Sequence, residues 1–251
     1  MIEVKDIRKS FNGRRILDGV SITFERGQTS LIIGGSGSGK TVFMKCMVGL
    51  FEVDEGEIIY DGRNFSSMNF KERKPVRKDI GMVFQGGALF DSLNVIENVM
   101  FPMSMFTGWT EKEKKEKAQF CLERVALPHA SSLRISELSG GMKKRVAIAR
   151  AISLDPKYLF CDEPNSGLDP KTAHLIDELI KKITDDLNIT TIINTHDMNS
   201  VVEIGEKVVY LHTGKKWWEG SFEEVLHSDN KELNEFVFAT KLLSGIRNKN
   251  P

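Results

Sequence analysis

Hydrophobic and polar positions change their spacing several times along the 251-residue chain, and each spacing predicts an element. Val20, Ile22 and Phe24 alternate with polar residues, the period of a half-buried strand. Gly27 permits a turn, and the apolar run at 31–33 suits a strand covered on both faces. A glycine-rich loop follows, then an apolar helix over 41–50. Residues 56–62 (GEIIYDG) read as another strand, and a basic, Pro-containing stretch at 71–78 leads into a strand at 80–84. From about 94 to 153 the strand period disappears. There, 111–127 carries Ala118, Cys121, Leu122 and Val125 at helical spacing behind a charged, solvated first half. A second helix over 142–152 is stopped by Asp155-Pro156. Alternation then resumes, with strands at 158–161, 189–194 and 208–211. Leu175, Ile176, Leu179, Ile180, Ile183 and Leu187 form a helical stripe between the first two of these. Strands alternating with helices predict a parallel α/β sheet, with the helical middle section (about 86–153) as an inserted lobe. Residues 223–243 are weakly helical with a polar end.

Composition narrows the class. Hydrophobic residues are 40% and charged residues 28%, enough for a real core in one large or lobed domain. Lys+Arg and Asp+Glu are both 35, so the net charge is zero, which argues against a general nucleic-acid binder. Cys46, Cys121 and Cys161 have neither disulfide-framework nor zinc spacing, which points to a reducing compartment. The first residues, MIEVKDIRKSF, lack the apolar core of a signal peptide. No run of about 18 apolar residues could span a bilayer. A role at a membrane therefore requires a membrane partner.

Three short motifs carry chemistry. Gly34-Gly35-Ser36-Gly37-Ser38-Gly39-Lys40-Thr41 matches GxxxxGK[ST] between a predicted strand and helix. Glycines let backbone N–H groups converge on phosphate oxygens, and the helix N-terminus favours negative charge. Lys40 reaches the β- and γ-phosphates, and the Thr41 hydroxyl can ligate Mg²⁺. Asp162 and Glu163 end an apolar strand, where ligands of parallel sheets bind. Asp162 can hold Mg²⁺ through water and Glu163 can polarise an attacking water; an isolated Asp-Glu-Pro is better read as a surface turn, and the phosphate loop elsewhere in the chain reverses that preference. Leu138-Ser139-Gly140-Gly141-Met142 opens a helix: Ser139 is a natural N-cap, and Gly140-Gly141 leave N–H groups open as a second anion-binding end. In isolation this pentapeptide reads better as a simple capped helix.

Taken in order from Phe11 to His196, these elements resemble the ATP-binding cassette (ABC) ATPase family over most of the chain. The resemblance implies a P-loop parallel-sheet core with an antiparallel β subdomain and an inserted helical lobe. It implies a nucleotide-binding domain over 1–222, a C-terminal helical tail over 223–251, and ATP with Mg²⁺ as ligands. Phe11 then corresponds to the aromatic that stacks on adenine, with core burial as the alternative. Gln85 corresponds to the glutamine that senses Mg²⁺ and the γ-phosphate. Ser166-Gly167-Leu168-Asp169 corresponds to the loop that crosses the dimer interface, and His196 to the histidine contacting the γ-phosphate. The family also implies a homodimer in which Ser139 of one copy covers the nucleotide held by the other. Met142 stands where the family commonly has Gln, which weakens any role for that side chain.

LSGGM and the segment 84–102 (FQGGALFDSLNVIENVMFP) are similar to the ATPases of Mla-type lipid transporters. That resemblance implies phospholipid or a related lipid as cargo, an integral-membrane permease, an MCE-domain lipid-binding protein and a small regulatory subunit as partners. It places the chain on the cytoplasmic face of the inner membrane. Ala88, Leu89, Phe90 and Leu93 are expected either to receive a permease helix or to fill the lobe core. A cassette for another cargo is a second reading. A soluble ABC protein acting on DNA or ribosomes is a third, without the tandem cassettes or coiled-coil insertion usual there. A metabolic P-loop kinase leaves 138–142 and His196 without a role.

Overall fold

The computed structural model describes residues 1–238, so 239–251 of the expected tail lie outside the described residues. The chain divides into two compact units: Met1–Ser67 together with the chain from Asn194 onward, and Met68–Ile193. The first opens with β1 (Ile2–Phe11), β2 (Arg14–Phe24), β3 (Thr29–Ile33), α1 (Lys40–Met47), β4 (Glu55–Tyr60) and β5 (Arg63–Asn64). The second contains α2 (Arg73–Lys78), β6 (Ile80–Val83), α3 (Val95–Phe106), α4 (Glu111–Arg124), α5 (Gly140–Ala151), β7 (Tyr158–Asp162), α6 (Pro170–Leu187) and β8 (Thr190–Asn194). The chain returns to the first unit with α7 (Met198–Ile204), β9 (Lys207–His212), β10 (Lys215–Gly220), α8 (Phe222–Leu226) and α9 (Lys231–Val237).

In the first unit an antiparallel sheet runs in the order β2-β1-β4-β5. Its core-facing side alternates as a half-buried strand must, with Ile2, Val4, Ile22, Phe24, Ile58 and Tyr60 buried. The alternation in β1 slips between Val4 and Ile7, where Asp6 takes φ 49 and the pairing shifts register. Every residue of β3 is buried. It pairs in parallel with β9, Leu31 opposite Val208 and Ile33 opposite Tyr210, and β10 adds to β9 as an antiparallel edge. The tail helix α9 docks on that hairpin: the Phe236 ring stacks 5.5 Å from Tyr210, and Trp217 Nε1 donates to Glu232 at 3.2 Å.

In the second unit β6 and β7 pair in parallel, from Ile80 opposite Tyr158 to Val83 opposite Cys161, and β8 lies beside β7. The helical middle is α3, α4 and α5. Asn94 caps α3 and Thr110 caps α4, each in a reciprocal box with the glutamate three residues on. Asn98 is fully buried and ties the chain before α3 into a loop. It accepts from the Phe90 amide at 2.8 Å and donates to the carbonyls of Phe90, Leu93 and Asn94.

The parallel, antiparallel and helical parts are those expected, with differences in detail. The helix expected from 142 begins at Gly140, and the basic stretch at 71–78 contains α2, since Pro75 falls in its first turn, where a missing N–H costs nothing. Strands β1 and β10 have no counterpart among the sequence-predicted elements. In α6 the stripe buries Ile176, Ile180 and Ile183 but leaves Leu175 53% exposed. Among the described residues no helix is long and apolar enough to cross a membrane, and all three cysteines are free and buried.

Candidate nucleotide site

The phosphate loop lies wholly in the first unit, between β3 and α1. Gly34 leaves the strand at φ 149, and a Cβ there would lie 2.2 Å from the Leu211 carbonyl oxygen. Only glycine fits that approach. The loop is also held from behind, because the Gly214 amide donates to the Ser38 carbonyl at 3.1 Å. Lys40 begins α1 and turns back across the loop, donating to the carbonyls of Gly34 at 2.6 Å and Gly35 at 3.2 Å. Side chains added at Gly35 or Gly37 would meet nothing within 4 Å, so this face is open. The opening is a cavity of ≈ 310 Å³ lined by Arg14, Ile16, Lys40 and Thr41 among others. Ser38 Oγ is buried with no hydrogen-bond partner. An open nest of amides, a cation and a buried unmatched hydroxyl fit a phosphate chain.

Two further expected residues belong to this unit. Phe11 ends β1 and is 38% exposed, so it is not a core residue. Its ring meets Phe51 edge-on at 5.2 Å, with the Lys9 ammonium 5.3 Å from its centroid. His196 is exposed, between Thr195, whose amide bonds the Ile32 carbonyl at 3.1 Å, and Asp197, which caps α7.

The remaining expected residues lie in the second unit. Asp162 is buried at the end of β7. Glu163 follows at φ 51, a left-handed conformation that costs a non-glycine residue about 1–3 kcal/mol. Gln85 lies two residues beyond β6 and Glu163 one residue beyond β7, level with one another because Val83 and Cys161 are partners. Its Nε2 donates to Ser166 Oγ at 3.3 Å. Ser139 caps α5 by accepting from the Met142 amide at 3.3 Å. Gly141 lies against α6, where a Cβ would come 2.6 Å from the Thr172 methyl. Asp169 caps α6, and the Thr172 hydroxyl and amide, at 2.6 and 3.1 Å, hold its carboxyl below the usual carboxylate range. A cavity of ≈ 490 Å³ opens at this corner, lined by Ser139, Gly140, Asp169 and Leu175 among others. Ser139 and Asp169 thus both have local capping roles.

A separate groove of ≈ 430 Å³ runs along the unit from Phe84 and Phe90 to Phe101, Phe106 and Arg150. Ala88 and Phe90 are exposed and Leu89 and Leu93 half-buried, so these residues do not form lobe core. Phe90 and Phe101 are 4.5 Å apart, and Arg150 fixes the segment below them by donating to the Gly87 carbonyl at 2.6 Å and the Ala88 carbonyl at 2.7 Å.

The residues expected at Mg²⁺ each carry a hard oxygen suited to that ion: the Thr41 hydroxyl in the first unit, and the Asp162 carboxylate and the Gln85 amide oxygen in the second. No cluster of three or more His, Cys, Asp or Glu suited to another metal occurs among the described residues. Sequence reasoning missed Arg14, Asn98, Lys144 and Arg150. The last three bond main-chain carbonyls, which leave no trace in a residue pattern.

Comparison with known proteins matches residues 17–166, more than half of the chain, to the family described as ABC transporter. The chain is 37% identical over 246 residues to the methionine import ATP-binding protein MetN of Clostridium tetani, covering 97% of this chain and 76% of that protein. It is 37% identical over 237 residues to the intermembrane phospholipid transport system ATP-binding protein MlaF of Haemophilus influenzae, covering 94% and 90%. Among solved structures, the dimeric post-hydrolysis state of the ATP-binding cassette MJ0796 bound to ADP and Pi superposes with a TM-score of 0.81 at 30% identity, covering 88% of this chain and 98% of that one.

Proposed function

We propose a function from one premise: the chain belongs to the ABC transporter family, as an ATP-binding subunit that hydrolyses ATP with Mg²⁺. Its cargo, on this reading, is phospholipid or a related lipid moved in a bacterial envelope. The observation that carries the ATPase reading is the phosphate cradle, in which Lys40 is held against the Gly34 and Gly35 carbonyls beside the open loop face at the start of α1. ATP binds with its phosphates in that cradle and its adenine against Phe11. Thr41, Asp162 and Gln85 would hold Mg²⁺, which would supply charge neutralisation on the phosphates. Glu163 takes the proton of the attacking water, and His196 contacts the γ-phosphate.

Ser139 and the Gly140-Gly141 amides close over the nucleotide of a second copy, and Asp169 lies in the loop that crosses between copies. ATP favours that closed pair and hydrolysis releases it. What supports the pairing is the complete motif set on one chain and the dimeric state of the solved cassette. A permease helix occupies the Phe90–Phe101 groove, which brings the chain to the cytoplasmic face of the inner membrane. An MCE-domain protein and a small regulatory subunit complete the assembly.

Purification of the tagged chain from its native membranes is expected to bring down a multi-spanning permease. Phe90→Glu should lose the permease while still binding ATP. Recovery of ribosomes or DNA in place of a permease would remove the transport reading.

The lipid assignment is supported by LSGGM, by the segment 84–102 and by the phospholipid-transport relative. The methionine-import relative favours a small-solute cargo. The two readings separate in proteoliposomes containing the co-purified permease. ATP should drive transfer of labelled phospholipid and leave labelled methionine outside; the opposite pattern replaces the lipid with an amino acid.

A further inference from the structure

Lys144 lies in α5, just over one turn from the Ser139 cap, and only 7% of its surface is exposed. A buried ammonium needs bonding partners, and this one has chosen two unusual ones. It donates to the main-chain carbonyl of Gln85, and to that of Glu163 at 3.3 Å. Those residues lie level with one another past the ends of two parallel strands, where the β6–β7 ladder has stopped. The β6–β7 register ends at Val83 and Cys161, and Lys144 adds a bridge beyond it from outside the sheet. Glu163 also needs a hold, since its left-handed backbone is a state that surroundings must impose. A second link runs the same way, from Gln85 Nε2 to Ser166, whose own amide bonds the Glu163 carbonyl at 3.2 Å.

We infer that Lys144 is a positioning residue: it fastens the helix that carries Ser139 to the main chain of Gln85 and Glu163, so that the placement of the Glu163 carboxylate follows the placement of α5. The inference rests on the assignment of Glu163 as base. When nucleotide is engaged at the capped end of α5, a shift of that helix is delivered through one ammonium to both loops at once. Burial pushes the Lys144 pKa down, and the Glu163 carboxylate acts the other way. Lysine suits the task because its ammonium carries three donors and can serve two carbonyls from one point.

The test is steady-state ATP hydrolysis and equilibrium ATP binding by the 251-residue chain carrying Lys144→Met or Lys144→Arg. Loss of a buried charge-assisted bond should lower kcat in the Met variant by about 10- to 100-fold, with KM and ATP affinity within about threefold of the parent. Arg, which keeps the charge and can reach both carbonyls, should recover most of that loss. A Met variant within about twofold of the parent kcat overturns the inference, as does an Arg variant as slow as the Met variant, because simple packing would not distinguish them by charge. If the Met variant does not fold, Lys144→Gln replaces it: a fall in kcat at constant KM supports the inference and an unchanged kcat overturns it. Glu163→Gln is measured alongside. Normal turnover there sinks the base assignment and this inference with it. Lost turnover there with normal Lys144→Met sinks this inference alone.

Discussion

Glu163→Gln is expected to lower ATP turnover by about 10²–10⁴-fold, the usual contribution of a positioned base, while leaving ATP binding intact. Gln matches Glu in size and shape. The contacts that hold residue 163, from Lys144 and from the Ser166 amide, go to its main-chain carbonyl and survive the exchange. What disappears is the acceptor for the proton of water. With hydrolysis stopped and ATP still bound, the closed pair should accumulate. Size-exclusion chromatography with Mg-ATP should then show a dimer for Glu163→Gln and a mixture for the parent. Turnover near the parent rate would remove Glu163 from the role of base.

Lys40→Ala should produce the second large effect, this time on binding. The ammonium is held against the carbonyls of Gly34 and Gly35, at the mouth of the cradle. A triphosphate offers it a better, negatively charged acceptor. Each charge-assisted bond is worth about 1.5–3 kcal/mol, so losing one or two should weaken ATP by about 10- to 10³-fold. Titration with a fluorescent ATP analogue measures this directly. Half-exposed Lys40 contributes little to the core, so the melting temperature of the nucleotide-free chain should change little. Unchanged affinity would refute the phosphate-loop assignment.

How much of this was legible in the sequence depends on whether the cause is local. The phosphate loop, the acidic pair and the capped helix at Ser139 were legible because each is a contiguous string whose backbone job dictates its residues. Strand β3 was legible because its apolar run at 31–33 is fully buried. Strand β1 was not, because the bulge at Asp6 breaks its alternation after two periods. Strand β10 was not, because an edge strand rich in Lys and Trp has no clean apolar face. Leu175 was grouped with the buried stripe of α6 because helical spacing counts apolar residues without knowing how wide the covered face is. Lys144, Arg150 and Asn98 read as ordinary polar positions. Their partners are carbonyls 59, 62–63 and up to 8 residues away, and a carbonyl has no letter.

The turn between β9 and β10 has a consequence for how this chain comes to life on the ribosome. The cradle spelled at residues 34–41 is backed by the Leu211 carbonyl, which leaves no room for a Cβ at residue 34, and by the Gly214 amide, which donates to the Ser38 carbonyl. Both arrive more than 170 residues after the loop they shape. A nascent chain therefore carries the whole phosphate motif through most of its synthesis without the backing that gives it form. Nucleotide competence is acquired late and all at once, when the hairpin emerges and closes behind the loop.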